Sequence, residues 1–374
     1  MPEISKDFGI PLDWSSLTIS ATTCAVAMAA PILGFLIRHT DTKRQIVIAS
    51  VFLSVPTALC AGAPSFNVLL CARFLQGVLI PIIFTKSIAY IGDGNLNERI
   101  AKSTALFVAG TTFGGFSSRA LLGLSASLLN WQAGFVFAAM LNLLVGIAIA
   151  RFLPQSLADS NFSPSQRTQL SDYAVVAKGP FLTAYACGFL VLFGQVATFT
   201  YISLRLALPP YCFGSALEGW VFAVFLLPMV VLPFIGGWIE KWGFRTSIII
   251  ASIMSTAAIL LTLVSSLTQI ILGLAISALG VFSSQTVLNS ALATNAGQMK
   301  AAAVGIYLMS YYLGGTAGAI IPAPVWNHFS WPGCVALIAG GQLLTATLGG
   351  SFLFTKNFSE TACNSAQLLA SRKQ

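Results

Sequence analysis

The chain has 374 residues, 56% of them hydrophobic and 8% charged, with a formal net charge of +8. A soluble globular protein carries about 25% charged residues, so this composition excludes a water-solvated fold and implies a chain solvated by lipid. The basic excess is then expected to set orientation in a membrane rather than to bind nucleic acid.

The opening stretch "MPEISKDFGI" has no basic region leading into a short apolar core, so no cleavable signal peptide is expected there. Eleven apolar runs follow, near 16–37, 46–63, 66–91, 102–128, 132–153, 180–201, 215–238, 247–266, 268–293, 301–322 and 332–354. Each approaches the ~20 residues needed to cross a bilayer. They predict an all-α polytopic membrane protein: a five-helix bundle over 1–153, a polar linker over 154–179, a six-helix bundle over 180–354 and a polar tail over 355–374. Cys24, Cys60, Cys71, Cys187, Cys212, Cys334 and Cys363 are scattered without a CxxC, and the histidines are His39 and His328. That pattern predicts packing residues and no disulfide, metal or cofactor site.

Sorting the basic residues by loop gives a sharp asymmetry. One side holds Arg38, Lys43, Arg44, Arg99, Lys102, Arg151, Arg167, Lys178, Lys241, Arg245, Lys300, Lys356, Arg372 and Lys373; the other holds Lys6 and Arg205. The positive-inside rule makes the first side cytoplasmic, and eleven spans then put the N-terminus outside. Trp14, Trp131, Trp220, Trp238, Trp242, Trp326 and Trp331 fall mostly near helix ends, as an aromatic belt predicts.

The chain also repeats itself. Gly114-Gly115 recurs as Gly314-Gly315, and Asn130-Trp131 as Ser330-Trp331, each 200 residues on; "GFLIRHTDTKR" from Gly34 recurs loosely as "GGWIEKWGFR" from Gly236, 202 on. Three matches at nearly one offset predict two similar halves. Projecting the run at 180–201 back by 200 residues places its counterpart ahead of Met1. The expectation is a six-plus-six plan whose first helix is missing, with "MPEISKDFGIPLDW" as the outer loop after it.

Two arginines lie deep in this apolar chain. Arg73, Gln76 and Gly77 sit at i, i+3 and i+4, on one helical face. A mid-membrane arginine costs about 2.5–3.5 kcal/mol, so it is expected to face a cavity or partner. Arg73 lies about 10 Å, and Arg119 about 14 Å, from the outer ends of their helices at ~1.5 Å per residue. No carboxylate is expected at that depth. Two readings stand equal: an anionic substrate held by both guanidiniums, or one guanidinium paired with an acid on the missing helix. Lys86, close to the cytoplasmic end of its helix, is expected to snorkel. Gly110, Gly114 and Ser118, with Thr111, Gly115, Arg119 and Gly123, form adjoining small-residue stripes, which suit close helix packing. Gln195, Thr198 and Tyr201, then Ser283 to Ser290, then Tyr307 to Tyr312, mark three further helices with polar groups. They either line a cavity or bond across helices.

These residues carry a resemblance. "RFLQG" is similar to the RxxQG signature of the fourth helix of major facilitator superfamily transporters. "GTTFGGFSSRALLG" resembles the glycine-rich fifth-helix motif of that superfamily's antiporters, closest to the bacterial sugar-efflux-like and drug–proton branch. Gly236, Glu240, Gly243 and Arg245 resemble the loop motif of both halves, with Lys241 beside the acid. In the first half only Gly34, Lys43 and Arg44 still fit: Arg38 stands at the acid position and Asp41 at the glycine position. An acid at Glu240 can sit against a cytoplasmic helix N-terminus near Ala101, whereas Arg38 should repel the helix near Ala301, with Asp41 as a substitute.

The resemblance implies a monomeric secondary transporter of the bacterial inner membrane with alternating access, moving a small organic solute outward by proton antiport. Arg73, Gln76 and Arg119 are its candidate substrate or coupling residues. No GxxxxGK[ST] loop and no catalytic cluster are present, against an ATPase or an enzyme. The rival reading is a non-transporting membrane remnant or regulatory partner lacking the first helix.

Overall fold

Backbone amides inside lipid must be bonded within their own segment, and helices do this with apolar side chains outward. A computed structural model of the chain describes residues 2–10, 14, 17–36, 42–93, 100–154, 176, 179–296 and 299–352. All the regular elements among them are helical. In order they are α1 (Pro2–Phe8), α2 (Leu17–Leu36), α3 (Thr42–Ala61), α4 (Phe66–Asp93), α5 (Ile100–Leu128), α6 (Trp131–Phe152), α7 (Pro180–Ala207), α8 (Ser215–Val221), a 3₁₀ turn (Phe222–Phe225), α9 (Leu226–Leu261), α10 (Leu267–Asn295), α11 (Lys300–Ile320) and α12 (Pro322–Phe352).

Two of these are interrupted. Gly243, at φ 78°, breaks α9. The 45 residues Leu217–Leu261 therefore make two crossings, since ~68 Å of straight helix would overshoot a bilayer twice over. Ser330, at φ 52°, breaks α12 just before Trp331. The position 200 residues earlier is Asn130, whose side chain accepts from the Ala133 amide at 2.7 Å and caps α6. The repeat thus marks the start of the last crossing in each half, by a cap in one and a kink in the other. With those breaks the helices supply eleven crossings, matching the eleven apolar runs.

α2–α6 pack among themselves, as do α7–α12. The two sets meet along a seam where α2 lies on α11 and α5 lies on α8 and α9. Among the described residues seven helical segments are long and apolar enough to cross a membrane. α5 and α11, rich in Gly, Ser, Thr and Tyr, fall short of that hydropathy; both are seam helices, so much of their surface faces protein.

The expected outer loop at the chain start is a correction. Residues 2–8 form α1. Ile4 is buried with Cys60, Phe66, Leu69, Ala72, Trp131 and Phe135, and Phe8 packs on them. Asp7 accepts hydrogen bonds from Trp131 Nε1 at 2.7 Å and Gln132 Nε2 at 3.1 Å. Apolar residues at 4 and 8 fall on one helical face, which is the signal a polar-looking stretch concealed.

Candidate functional site

Arg73 projects from α4 beneath α1. Its Nη1 donates to Gln76 Oε1 at 3.1 Å, one turn along the same helix. Gln76 in turn donates to Thr57 Oγ1 at 2.8 Å, and Asn142 Nδ2 reaches the same hydroxyl at 3.3 Å. The guanidinium lies 4.8 Å from the centre of the Phe135 ring, and Phe135 stacks edge-on against Trp131, which Asp7 anchors. Arg73 Nε is buried with no hydrogen-bond partner among the described residues. Gly77 lets α2 approach: a Cβ there would collide with the Thr22 carbonyl oxygen and Ala25. Thr22 Oγ1 also donates to the Arg73 carbonyl at 3.2 Å.

Arg119 projects from α5. Its Nη1 donates to the Gly115 carbonyl at 3.0 Å. Its guanidinium lies 4.6 Å from the centre of the Phe222 ring, on the other side of the seam. The structure joins Arg73 to Gln76 by a hydrogen bond and sets Arg119 apart from that pair, on Gly115 and Phe222, within electrostatic reach of Arg73. Among the described residues neither arginine pairs with a carboxylate. Arg73 is half-buried and Arg119 exposed; cation–π contacts of this kind contribute about 0.5–2 kcal/mol, and an anion forked onto either guanidinium adds stronger, charge-assisted bonds.

The glycines of α5 divide by face. A Cβ at Gly115 would rest on Phe225, and Gly123 lies against Gly219 of α8. A Cβ at Gly110 or Gly114 would meet nothing within 4 Å. The repeat makes the contrast pointed: on α11, Cβ atoms at Gly314 and Gly318 would collide with the Phe189 and Phe193 carbonyls of α7. One flank of α11 grips a helix, and the matching flank of α5 is open.

The seam is in contact towards both ends. Thr23 and Thr316 hydroxyls are 3.0 Å apart towards the α1 end. Towards the other end, Gly305 faces the Ala30 carbonyl. At that end α9 carries buried Gly236, exposed Glu240 and Lys241, and the break at Gly243. Arg245 donates to the Ser351 carbonyl at 2.8 Å. Lys43 is half-buried and Arg44 exposed in the first turn of α3, and Gly34 lies in the last turn of α2. Arg38 and Asp41 lie outside the described residues.

Of the further polar groups, Ser283 to Ser290 of α10 are all buried, as are Tyr307 and Tyr311. Gln285 Oε1, Asn289 Nδ2 and Tyr307 Oη have no protein partner among the described residues. Tyr201 instead donates to the Ala319 carbonyl at 2.9 Å and Thr198 to Gly194 at 2.7 Å. Sequence reasoning missed Phe135, Phe222 and Thr57. An aromatic or a threonine in an apolar helix carries no sign that a cation or amide from a distant segment will meet it.

Comparison with known proteins gives a consistent picture. Residues 1–209 match the sequence profile of the Major Facilitator Superfamily. An MFS-type transporter of Bacillus subtilis, YybF, is 27% identical over 354 residues, covering 94% of this chain and 87% of its own. The inner membrane transport protein YnfM of Escherichia coli is 26% identical over 354 residues, covering 94% and 85%. Two solved structures share the fold: the human organic anion transporter MFSD10, with TM-score 0.72 and 20% identity over 92% of this chain and 87% of that one, and FucP in its outward conformation, with TM-score 0.71 and 13% identity over 93% and 92%.

Proposed function

The chain belongs to the Major Facilitator Superfamily and is a membrane transporter, and from that premise we propose that it carries a small organic anion by alternating access of its two halves. The observation that carries this reading is that Arg73 and Arg119 each rest on an aromatic ring with no acid beside them among the described residues. An anion on either would supply charge-assisted hydrogen bonds. The printed description of MFSD10 as an organic anion transporter points the same way. The relatives that span nearly the whole chain are transporters, so the remnant reading is not favoured.

The basic end of the bundle is assigned to the cytoplasm by the positive-inside rule, with residues 1–153 and 180–354 as the moving bodies and 154–179 as their linker. Glu240 and the loop residues around Gly34 and Gly236 then sit at the cytoplasmic gate. The resemblance adds outward movement driven by proton entry in a bacterial inner membrane. Among the described residues no Asp, Glu or His lies mid-span, so a proton taken up there has no carboxylate or imidazole to ride on. Uptake into inverted vesicles tests that part: collapse of the pH gradient should stop it, and unaltered uptake replaces antiport with anion exchange.

The open flank of α5 favours a second reading, in which a helix corresponding to α7 seats there and brings an acid to the guanidiniums. One experiment separates the two. Purified protein is screened by thermal shift against carboxylates, phosphates and neutral molecules of matched size. Stabilisation by anions that disappears in both Arg73→Ala and Arg119→Ala supports the anion site. Transport of every stabilising anion persisting in both variants rejects it.

A further inference from the structure

We infer that Phe222 is a releasable counter-surface for Arg119: its ring holds the guanidinium across the seam while the halves are together, and an anion arriving at Arg119 loosens that hold. The release half of this statement rests on the anionic-substrate reading above; the hold itself does not.

Arg119 and Phe222 belong to different halves, and their contact of 4.6 Å spans the seam. The surrounding backbone is close enough to make that contact a clamp. A Cβ at Gly219, three residues before Phe222, would sit 3.2 Å from the Arg119 carbonyl oxygen and 3.8 Å from the Ala120 Cα. Phe116 meets Trp220 across the same seam, ring centres 6.0 Å apart.

Phe222 is itself well held. Its ring lies 5.3 Å from Phe199 and 5.6 Å from Phe225, and Phe225 lies 5.2 Å from Phe282. The cluster fixes the ring's position, so its face is presented to Arg119 rather than found by chance. Phe222 also opens the 3₁₀ turn Phe222–Phe225 between α8 and α9. Tighter 3₁₀ winding inside a long helical segment is a recurrent hinge geometry, which places the hold where the span bends most readily.

The release follows from electrostatics. The ring's attraction acts on the guanidinium's charge. An anion forked onto the guanidinium cancels that charge and forms stronger bonds. It also removes the repulsion from Arg73. An anion therefore binds better to the state in which the ring has let go, and that difference is what shifts a two-state equilibrium.

The test uses the full chain in lipid nanodiscs, with Ala120→Cys as a reporter beside Gly219. Its labelling by a small impermeant maleimide is read at that peptide by mass spectrometry. Inorganic phosphate and benzoate serve as probe anions. Phe222→Leu keeps an apolar side chain and removes the ring face; Phe222→Trp keeps a stronger one. Phe222→Leu is expected to raise the labelling rate about five- to thirty-fold, the ratio equivalent to about 1–2 kcal/mol, and Phe222→Trp to leave it unchanged or slower. Either anion is expected to raise labelling of wild type and not of Phe222→Leu. Equal rates in wild type and both variants overturn the hold. Equal acceleration by Leu and Trp also overturns it, since the cause is then packing. A Leu-specific increase with no anion effect on wild type sustains the hold and overturns its release; the anionic-substrate reading is decided separately by anion stabilisation and transport in Arg73→Ala and Arg119→Ala.

Discussion

Gln76 is the residue on which the site's charge balance turns. Its amide accepts from Arg73 and donates to Thr57, so it bridges a cation to a hydroxyl network in a region poor in other acceptors. Gln76→Leu removes that acceptor and leaves the Thr57 hydroxyl with Asn142 and the Leu53 carbonyl. A loss of about 1–3 kcal/mol is expected, as for other buried groups deprived of a partner, measured as thermal unfolding in detergent. Gln76→Glu acts oppositely. It places a carboxylate one turn from Arg73, in the position an anion would otherwise serve. The variant is expected to fold at least as stably as wild type while losing at least about tenfold in anion affinity, the worth of one charge-assisted bond. Affinity unchanged in Gln76→Glu removes Arg73 from the binding site. The Arg73–Gln76 pair was legible in the sequence because helical spacing joins i to i+3. Phe135 and Phe222 were not, because their approach depends on how α6 and α8 lie against α4 and α5, which no local pattern encodes.

At the scale of elements, glycine at a helix crossing is informative only when its neighbour is known. Gly77, Gly314 and Gly114 look alike in the sequence. In the structure the first two touch the backbone of another helix, and the third faces open space. Gly77→Ala and Gly314→Ala are each expected to cost about 1–3 kcal/mol through overpacking, with Gly114→Ala within about 0.5 kcal/mol of wild type. Thermal unfolding of the three side by side checks this, and equal losses would mean that the flank of α5 is covered. α1 makes the same point about the chain start. Its seven residues are too few to hold a helix alone, so its docking depends on Asp7 and the apolar pair Ile4 and Phe8. Asp7→Ala is expected to raise hydrogen exchange across residues 2–10 by about ten- to hundredfold, the loss of one or two charged hydrogen bonds, leaving exchange in α9–α12 unaltered. The eleven crossings and the two-half plan were readable from hydropathy and the 200-residue offset. α1 was not, because one apolar residue per turn among charges reads as a loop until a receiving surface exists.

For the whole molecule, the question is whether the two halves move as bodies about the seam. The seam lies where α2 meets α11 and α5 meets α8 and α9, in contact towards both ends. Rocking must then break one end of those contacts while keeping the other. Thr23 and Thr316 offer a direct check. Their hydroxyls are 3.0 Å apart on opposite sides of the seam, so cysteines at both positions would stand close to disulfide geometry. Thr23→Cys with Thr316→Cys is expected to cross-link under mild oxidant and to arrest transport in proteoliposomes. Reductant should restore the rate, and each single variant should transport at about the wild-type rate. The bond holds together only the α1 end, so access from the opposite side should persist. Ala30 is buried in the contact with Gly305 at the basic end, so a reporter Ala30→Cys should still become reactive in the cross-linked protein as that end parts. Complete cross-linking with undiminished transport would mean that solute passes without parting α2 from α11, and would exclude rigid rocking about this seam.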